Sequence, residues 1–443
     1  METQEKRKIV IVGGGIIGCS VAYFLTRHPK FNPALHTVTL LEASSIAAGA
    51  SGKAGGLLAL WAYPQSIVPL SYRLHKELAE EHNGAERWGY RRLACGSIGA
   101  VVREKDLEAR TARPPPPPTG SGVDGEPPIR SALEEDSTKG WQKLPKQDPK
   151  AAALLQGSPL PRDMDWIDGS LVRYYEEMGS PGATETAQVH PFHFTNALAD
   201  LAREKGVDIK LRARVTKIGQ GPSGAPAVQY EDRDAGGAVH SIDDATDVVV
   251  AAGPWTGKLL PRTRIETVRA HSVVFEAEVS PHAVFTDIQL PPSYVPEHRR
   301  EQGQKRRHKG SVDPEIYARP FGEVYACGET DTQVPLPATA DLVEVDEGRC
   351  DDLIAYIGTI SPALAAAPVK ARQACYLPQH VRFGEQRSPL VGPTSVPGVW
   401  VASGHTCWGI QNGPGTGYLM AGMLFGDEVD GEVAKLDPRK FKV

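Results

Sequence analysis

Three glycines near the amino terminus have the spacing of a turn that binds a nucleotide diphosphate. Gly13, Gly15 and Gly18 follow the apolar run Lys8–Val12. In such a turn the first glycine permits a tight exit from a strand, the second lets a pyrophosphate approach the backbone, and the third lets helix and strand pack closely. The free N–H groups of the next helix would face the phosphates. We predict a strand at Lys8–Val12 and a helix at Ile16–Arg27.

An acidic residue follows at the position where a ribose would lie. Glu42 ends the second predicted strand, His36–Leu41, 24 positions after Gly18. Its carboxylate would accept hydrogen bonds from ribose hydroxyls, and an acid here argues against a 2′-phosphate. The alternative is a structural turn followed by a surface glutamate. The spacing favours an adenosine dinucleotide.

The arrangement of the later segments distinguishes between two dinucleotides. A nicotinamide dehydrogenase normally continues in regular βαβ units, but this chain enters a loop of small residues at 44–56 and returns to strand, glycine-rich turn and helix at 398–424. FAD extends beyond its nucleotide half and needs a second set of backbone donors, which Gly413, Gly415 and Gly417 could supply. We predict a helix from about Gly417 whose positive end would face the flavin. An NAD-dependent dehydrogenase remains the alternative.

Four stretches together resemble a known family. They are VIVGGGIIG with Glu42, GASGKAGG, DVVVAAGPWT and VWVASGHTCWGIQNGPGTG, and they are distributed along nearly the whole chain. In this order they resemble the D-amino-acid oxidase, glycine oxidase and sarcosine oxidase superfamily of FAD-dependent oxidoreductases. The detailed pattern is most similar to a fungal cytosolic branch linked to endosome-to-Golgi trafficking.

The resemblance implies an α/β fold with two domains. The expected FAD-binding domain is Rossmann-like, contains a parallel sheet and comprises residues 1–95, 185–265 and 385–443. The substrate domain, with a mixed sheet, comprises residues 96–184 and 266–384. The implied reaction is oxidation of an amine or amino acid by hydride transfer to the flavin, followed by reoxidation with oxygen or another acceptor. A flavoprotein with little oxidase activity that serves as a trafficking interaction factor is an alternative.

The predicted cofactor-binding residues follow from the glycine turn and from the resemblance. Gly13, Gly15, Gly18 and Glu42 would hold the ADP half, and Ser51 and Gly52 would lie by the phosphates. The full set also includes Ile16, Ile17, Ala43, Ser44, Ala50, Ala54, Gly55, Gly56, Leu57, Val215, Ala251, Ala252, Gly253, Trp255, Cys375, Gly404, His405, Gly409, Ile410, Gly415, Thr416 and Gly417.

Four residues are candidates for the substrate end. Cys375 falls where sarcosine-oxidase-like members carry the cysteine that binds a flavin methyl group, although we expect non-covalent FAD because free cysteines are usually buried filler. Arg319 is the candidate clamp for a substrate carboxylate. His405 is the candidate proton acceptor or flavin contact, and Trp408 is expected beside it. The segment ACYLPQHVRFGEQRSPLVGPT departs from the family by being lengthened and lacking an Asp.

Composition limits the partners. The chain has 443 residues, 40% hydrophobic content and a formal net charge of -5, which disfavours nucleic acid as a partner. Its six cysteines lack metal-site spacing, so we expect reduced thiols, no metal and a cytoplasmic location, which the resemblance extends to possible endosome association. No apolar run is long enough to span a membrane. A Pro-rich tract at about 107–160 is expected to be an extended or disordered insert that contributes little to a core. A basic loop at about 291–310 is expected to be a solvated surface excursion, and either segment could dock a partner. Oligomeric state and substrate identity are not predicted.

Overall fold

The computed structural model describes residues 5–111, 159–179 and 185–443. Within these ranges it contains 21 strands. In chain order they are β1 Arg7–Val12, β2 His36–Leu41, β3 Leu57–Ala59, β4 Arg91–Arg92, β5 Ala94–Val101, β6 Val172–Glu177, β7 Thr186–Gln188, β8 Asp208–Lys210, β9 Ala213–Gln220, β10 Pro226–Asp232, β11 Ala238–Ile242, β12 Asp247–Val250, β13 Ile265–Glu276, β14 His282–Gln289, β15 Ser311–Val312, β16 Glu315–Arg319, β17 Glu323–Asp331, β18 Val369–Arg382, β19 Glu385–Arg387, β20 Leu390–Pro393 and β21 Val399–Ser403.

The same ranges contain α-helices and short 3₁₀ turns. The α-helices are α1 Ile16–Leu25, α2 Val68–Glu81, α3 Gly84–Trp88, α4 Glu104–Thr111, α5 Pro191–Arg203, α6 Thr256–Leu259, α7 Glu297–Glu301, α8 Glu347–Gly358, α9 Pro362–Ala366 and α10 Gly409–Leu424. The 3₁₀ turns are Ala50–Gly52, Gly253–Trp255, Pro261–Thr263, Ala340–Leu342, Thr406–Trp408, Val433–Leu436 and Pro438–Phe441.

A six-stranded sheet holds the nucleotide-type turn. Its order is β20-β21-β12-β1-β2-β8, and all its neighbouring strands are parallel except the pair β20 and β21. Side chains alternate along β1, so Ile9 and Ile11 pack with helices α1, α5 and α10, whereas Val10 and Val12 pack with the three-stranded sheet β11-β10-β9. Burial on both faces explains the unbroken apolar run.

A nine-stranded mixed sheet forms the second layer. Its main path is β19-β18-β13-β17-β16-β14-β5-β6, and β15 pairs with β14. One face packs against α8 through Cys350, Leu353 and Ile357. Another cluster includes Tyr317 and Tyr325 together with residues of β3, β5 and β14. The predicted α/β fold with a parallel sheet and a mixed sheet is confirmed; the boundaries of its two domains stay a prediction.

Helix α10 contains a proline that interrupts its hydrogen bonds. Pro414 has no N–H to donate to the carbonyl of Ile410, and His75 Nε2 of α2 donates to that carbonyl instead, over 3.0 Å. The Ser71 hydroxyl donates to Gln411 O at 2.6 Å and accepts from Gly415 N at 2.8 Å. Side chains of α2 therefore complete the broken turn of α10.

Two predicted helix boundaries are wrong. The carboxyl-terminal helix begins at Gly409 rather than near Gly417, because Pro414 is accommodated within it. Helix α1 ends at Leu25, not Arg27, and Thr26 caps it by donating its hydroxyl to Ala22 O and Tyr23 O. The predicted strands β1 and β2 lie within one residue of their expected bounds.

The Pro-rich tract and the basic loop have different outcomes. The tract is expected to be extended, but its first residues belong to helix α4, and residues 112–158 lie outside the described ranges. The basic loop exposes residues 300–307 as predicted, but it also contains helix α7, and Arg299 is buried. The Arg299 Nε and NH2 atoms lie 2.5 and 2.6 Å from the two carboxylate oxygens of Asp352, which anchors the loop on α8.

Two further observations concern the described residues alone. None of their helices combines the length and apolar character needed to cross a membrane. All six cysteines lie in the described ranges, and each is a free thiol.

Candidate active site

A cavity of about 810 Å³ is lined by residues from both large sheets. One part of its lining comes from the carboxyl ends of β1, β2 and β12, the first turn of α1, and β9. Another comes from β16, β17, β18 and the beginning of α10. Its volume lies within the range of roughly 300–1,000 Å³ that is typical of ligand sites. The carboxyl ends of parallel strands are where open α/β sheets bind their ligands.

The glycine turn at the end of β1 leaves no room for side chains. Gly13 has φ +110°, and a Cβ on it would lie 2.4 Å from the carbonyl oxygen of Ala251. A Cβ on Gly18 would lie 1.9 Å from the carbonyl oxygen of Gly13. Gly13 and Gly15 line the cavity, whereas Gly18 lets α1 approach β1. The tight turn at Gly13 and the close helix–strand packing at Gly18 are as predicted, and the approach of a pyrophosphate at Gly15 stays a prediction.

Glu42 lies directly beside this turn. Its Oε2 accepts a hydrogen bond from Gly14 N at 2.7 Å, and its Oε1 accepts from Ser44 N at 2.8 Å and Ser44 Oγ at 3.0 Å. Burial raises the pKa of the carboxyl, and these donors oppose the increase by stabilising the anion. The carboxylate lines the cavity and can accept hydrogen bonds from a ribose.

The small-residue loop closes over the first turn of α1. Ser51 Oγ accepts a hydrogen bond from Ile16 N at 2.9 Å, so the loop is joined to the helix start. Gly55 lies against the ring of Tyr317, and a Cβ there would be 2.5 Å from Cδ2 of that ring. The lack of side chains lets the loop fit between the nucleotide-type turn and the nine-stranded sheet.

His405 lies at the opposite part of the cavity, just before α10. Its Nε2 pairs with Thr416 Oγ1 at 3.0 Å, and its Nδ1 is buried with no hydrogen-bond partner among the described residues. Burial lowers the pKa of His405 to about 3, so the ring is neutral at pH 7. Trp408, Gly409 and Ile410 continue the lining at the positive end of α10.

Cys375 lies on β18 and lines the cavity. Burial raises the pKa of its thiol to about 11, and nearby Lys53 opposes that increase only in part. Lys53 Nζ donates to the carbonyl of Ala374 at 2.9 Å. The thiol is therefore protonated at pH 7 and is a weak nucleophile there.

Arg319 is not at the cavity surface. Its guanidinium is buried, pairs with Glu323 across the β16–β17 hairpin, and donates from NH1 to Ala54 O at 3.0 Å. His190 and Lys370 also contact Glu323. Since the guanidinium is committed to this network, the structure does not bring Arg319 to a substrate carboxylate as the sequence suggested.

Most other predicted site residues line the cavity. Those that do are Gly13, Gly15, Ile16, Ile17, Glu42, Ala43, Ala50, Ser51, Ala54, Gly55, Gly56, Leu57, Val215, Ala251, Ala252, Gly253, Trp255, Cys375, His405, Gly409 and Ile410. The remaining predicted residues do not line the cavity but lie in the segments next to its lining: Gly18, Ser44, Gly52, Gly404, Gly415, Thr416 and Gly417. Gly415 bonds to Ser71, and Gly417 packs on Ser20, so these glycines join helices instead of supplying donors to a ligand.

Several lining residues were missed by sequence reasoning. The substrate part of the cavity includes Phe285, Glu315, Tyr317, Tyr325 and Cys327. A local signal for two of them exists, because Glu315 and Tyr317 are separated by two positions in EIYAR and so share one face of a strand. Which face is turned inward depends on pairing with β14 and β17, and this is a long-range property.

A family model described as "FAD dependent oxidoreductase" matches residues 8–423. This match covers most of the chain and includes both sheets. The chain belongs to the FAD dependent oxidoreductase family. Membership favours FAD over the nicotinamide cofactor that the glycine spacing had left open.

Similar proteins agree with this family. The Saccharomyces cerevisiae protein TDA3 is 34% identical, and the alignment covers 99% of this chain and 95% of TDA3. The 4-methylaminobutanoate oxidase (formaldehyde-forming) of Paenarthrobacter nicotinovorans is 25% identical over 98% of this chain and 45% of its own length. The crystal structure of glycine oxidase from Geobacillus kaustophilus has the same fold, with a TM-score of 0.61, 21% identity and 98% coverage of both chains.

The lining of this family member fits FAD. The bare turn at Gly13 and Gly15 can hold a pyrophosphate, and Glu42 can bind the ribose of the ADP half. At the other part of the same cavity, the unpartnered Nδ1 of buried His405 and the first turn of α10 offer polar contacts to a flavin ring. FAD bound there would be held by backbone groups, the Glu42 carboxylate and the neutral ring of His405.

Proposed function

We propose that this protein oxidises an amine or amino acid, with FAD as the electron acceptor. The observation that carries the proposal is the continuity of one cavity. It runs from the nucleotide-type turn at Gly13 and Glu42 to a pocket with aromatic walls formed by Phe285, Tyr317 and Trp408. The name of the Paenarthrobacter relative, an oxidase of a methylated amine, supports the same chemistry.

The proposed reaction is a two-electron oxidation of the amine. The α C–H bond of the amine breaks, a hydride leaves, and the C–N bond becomes an iminium that water hydrolyses to a carbonyl compound and an amine. Bound FAD supplies the acceptor for the hydride, and oxygen or another acceptor later removes the two electrons.

The protein's own contribution is to orient the substrate and exclude water. The reacting nitrogen must be neutral and its α-hydrogen must face the acceptor, so the chemistry depends on positioning. His405 is neutral because burial lowers its pKa to about 3, and its Nε2 is held by Thr416. It therefore suits a fixed hydrogen bond better than proton uptake at neutral pH. The aromatic walls present apolar surface to the substrate.

The test is anaerobic mixing of the purified holoprotein with N-methyl amines and free amino acids. Loss of the oxidised-flavin absorbance with at least one compound, and formation of the matching carbonyl product, are the expected results. If no amine reduces the flavin while dithionite does, the proposed reaction is wrong.

The trafficking role and the cytoplasmic or endosomal location rest on the sequence resemblance alone. They stay predictions, and no contact in the described ranges is assigned to such a partner. Imaging a tagged chain at native expression level would test the location.

A further inference from the structure

The substrate part of the cavity contains a carboxylate without a countercharge. Glu315, the first residue of β16, lines the cavity. Within residues 5–111, 159–179 and 185–443, no lysine, arginine or histidine nitrogen lies within 4.0 Å of its carboxylate oxygens, whereas the neighbouring Glu323 has three such partners. Glu315 is half-buried, and a partly buried acid that lacks a cation costs more to ionise than an exposed one, a cost that a ligand cation would reduce.

The hydrogen bonds of Glu315 leave one oxygen available. Tyr317 OH donates to Oε2, and Cys327 Sγ lies 3.8 Å from the same atom. No described residue donates to Oε1. Burial raises the pKa of the carboxyl. The arrangement fixes the carboxylate through one oxygen and leaves the other to a ligand.

The same cavity as Glu315 is lined by the aromatic side chains of Phe285, Tyr317, Tyr325 and Trp408. The Tyr317 ring makes an edge contact with Phe285 at 6.0 Å and a tilted contact with Tyr325 at 5.9 Å. Phe285 contacts Trp61, whose ring is 5.5 Å from that of Trp408. Ring faces attract cations, and alkylated ammonium groups in particular are recognised by combined aromatic and anionic surroundings.

The lysine and arginine side chains that line the cavity already have protein partners. Arg214 pairs with Glu231 at 2.6 Å, and Lys258 Nζ donates to the carbonyl of Leu336 at 2.8 Å. Lys53 Nζ donates to the carbonyl of Ala374, and burial lowers the pKa of this amine. Lys53 is therefore the competing anchor that an experiment has to exclude.

We infer that Glu315 and the surrounding aromatic rings bind a permanently cationic group of the substrate, such as a second, alkylated ammonium, and not a carboxylate. This inference rests on the proposed amine oxidation and narrows its substrate class. The nitrogen that is oxidised must be neutral, so the cation at Glu315 is a separate group. The protein thus selects amines with a distal positive charge over amino acids.

The first experiment measures binding without turnover. Butyltrimethylammonium, which has no nitrogen lone pair to form an iminium, and pentanoate, an anion of similar length, are titrated into the oxidised holoprotein while the flavin spectrum is followed. We expect the cation to bind at least about tenfold more tightly than the anion. Tighter binding of pentanoate, or binding of neither ligand, would overturn the inference.

Two variants assign the site. Glu315→Gln keeps the side-chain size and should weaken cation binding by about tenfold or more. Glu329→Gln removes an exposed carboxylate on the adjacent strand and should leave it unchanged. If Glu315→Gln does not retain FAD, the inference is judged on the relative affinities of butyltrimethylammonium and pentanoate for the wild-type holoprotein. Equal affinity in wild type and Glu315→Gln would contradict the inference, and loss of anion binding in Lys53→Met would identify the competing anchor.

The second experiment separates this inference from the proposed reaction. Three N-methyl amines of equal chain length, ending in a methyl group, a carboxylate or a trimethylammonium, are mixed anaerobically with the holoprotein. If the trimethylammonium compound reduces the flavin fastest, the result supports both the proposed amine oxidation and the cation site at Glu315. Preference for the carboxylate compound retains amine oxidation and overturns the inference. Binding of butyltrimethylammonium that depends on Glu315, without reduction by any amine, retains the inference and contradicts the reaction.

Discussion

At the scale of single residues, Glu42 is the side chain on which we expect nucleotide binding to depend most. It accepts backbone hydrogen bonds from Gly14 and Ser44. The residue also lines the cavity, where its carboxylate oxygens can accept further hydrogen bonds from a ligand. Only the ionised carboxyl offers acceptors on both oxygens. Since burial raises its pKa, protonation of this side chain begins at a higher pH than that of an exposed glutamate.

The Glu42→Gln variant should bind FAD about tenfold more weakly, equivalent to about 1.4 kcal/mol, because one oxygen acceptor is replaced by a donor. FAD affinity of the wild type should fall as pH is lowered towards the raised pKa, and the variant should lack this dependence. Equilibrium titration of apoprotein with FAD between pH 5 and pH 8 gives both results. Glu80→Gln, on the exposed side of α2, is the control.

Cys375 is expected to remain a thiol beside the bound cofactor. Burial raises its pKa to about 11, so the nucleophilic thiolate is scarce at pH 7. After acid precipitation of the holoprotein we expect the flavin in the supernatant, with Cys375→Ala behaving alike. Flavin in the wild-type pellet that is absent from the Cys375→Ala pellet would demonstrate a covalent bond.

The sequence identified residues at the nucleotide end better than those at the substrate end. Gly13, Gly15 and Glu42 belong to one strand–turn–helix–strand segment, so their spacing carries the information. Arg319 illustrates the opposite case. Its charge suggested a substrate clamp, but the antiparallel pairing of β16 with β17 places it across from Glu323, and the two neutralise each other.

At the scale of secondary-structure elements, α2 supports the helix that begins at the active site. His75 supplies the donor that Pro414 lacks, so its Nε2 must carry a proton while the ring stays neutral. Burial lowers the pKa of His75 to about 4, below the value of about 6.5 for an unfolded chain. Between these values the unfolded chain binds more protons than the native protein, so stability falls as pH falls.

The His75→Phe variant should be less stable at pH 7 by about 1–3 kcal/mol, because the carbonyl of Ile410 loses its partner in a buried position. Its deficit should narrow between pH 6.5 and pH 4, since only the wild type loses up to about 1.4 kcal/mol per pH unit through this group. Urea unfolding at several pH values measures the difference. If the difference in unfolding free energy between wild type and His75→Phe does not change with pH, the assignment of His75 as a buried neutral ring is wrong. Lys76→Gln, on the exposed face of α2, serves as the control.

Substitution of Gly417 tests the close contact between helices α10 and α1. A Cβ at this position would lie 2.5 Å from the carbonyl carbon of Ser20, which is backbone and cannot rotate away. We expect Gly417→Ala to destabilise the protein by about 1–3 kcal/mol. Gly431→Ala, where nothing lies within 4 Å of the added Cβ, should not change the melting temperature. Equal melting temperatures for both variants would show that the helices separate easily.

The boundaries of α10 could not be predicted from local pattern. Pro414 and the nearby glycines indicate a loop when read locally, and they led to a predicted helix start near Gly417. The structure begins the helix at Gly409 because Ser71 and His75, more than 300 positions earlier in the chain, satisfy the interrupted backbone groups. Tertiary contacts thus overrode local propensity.

At the scale of the whole molecule, the cavity is a product of two sheets. The six-stranded sheet provides the bare turn and Glu42, and the nine-stranded sheet provides Glu315 and the aromatic walls. Membership of the FAD dependent oxidoreductase family explains why both sheets are present in one chain. A nucleotide cofactor and an organic substrate can therefore meet within a single enclosed volume.

The most direct test of this account is the flavin content of the purified full-length protein. After expression with adequate riboflavin, we expect a yellow protein with oxidised-flavin absorbance and close to stoichiometric FAD released by acid. Gly15 lines the cavity, and a Cβ added to it would meet only the flexible side chain of Ser51, at 3.0 Å from Oγ, so Gly15→Ala should fold but retain much less FAD. A colourless, folded wild-type protein that takes up no added FAD would contradict the central claim.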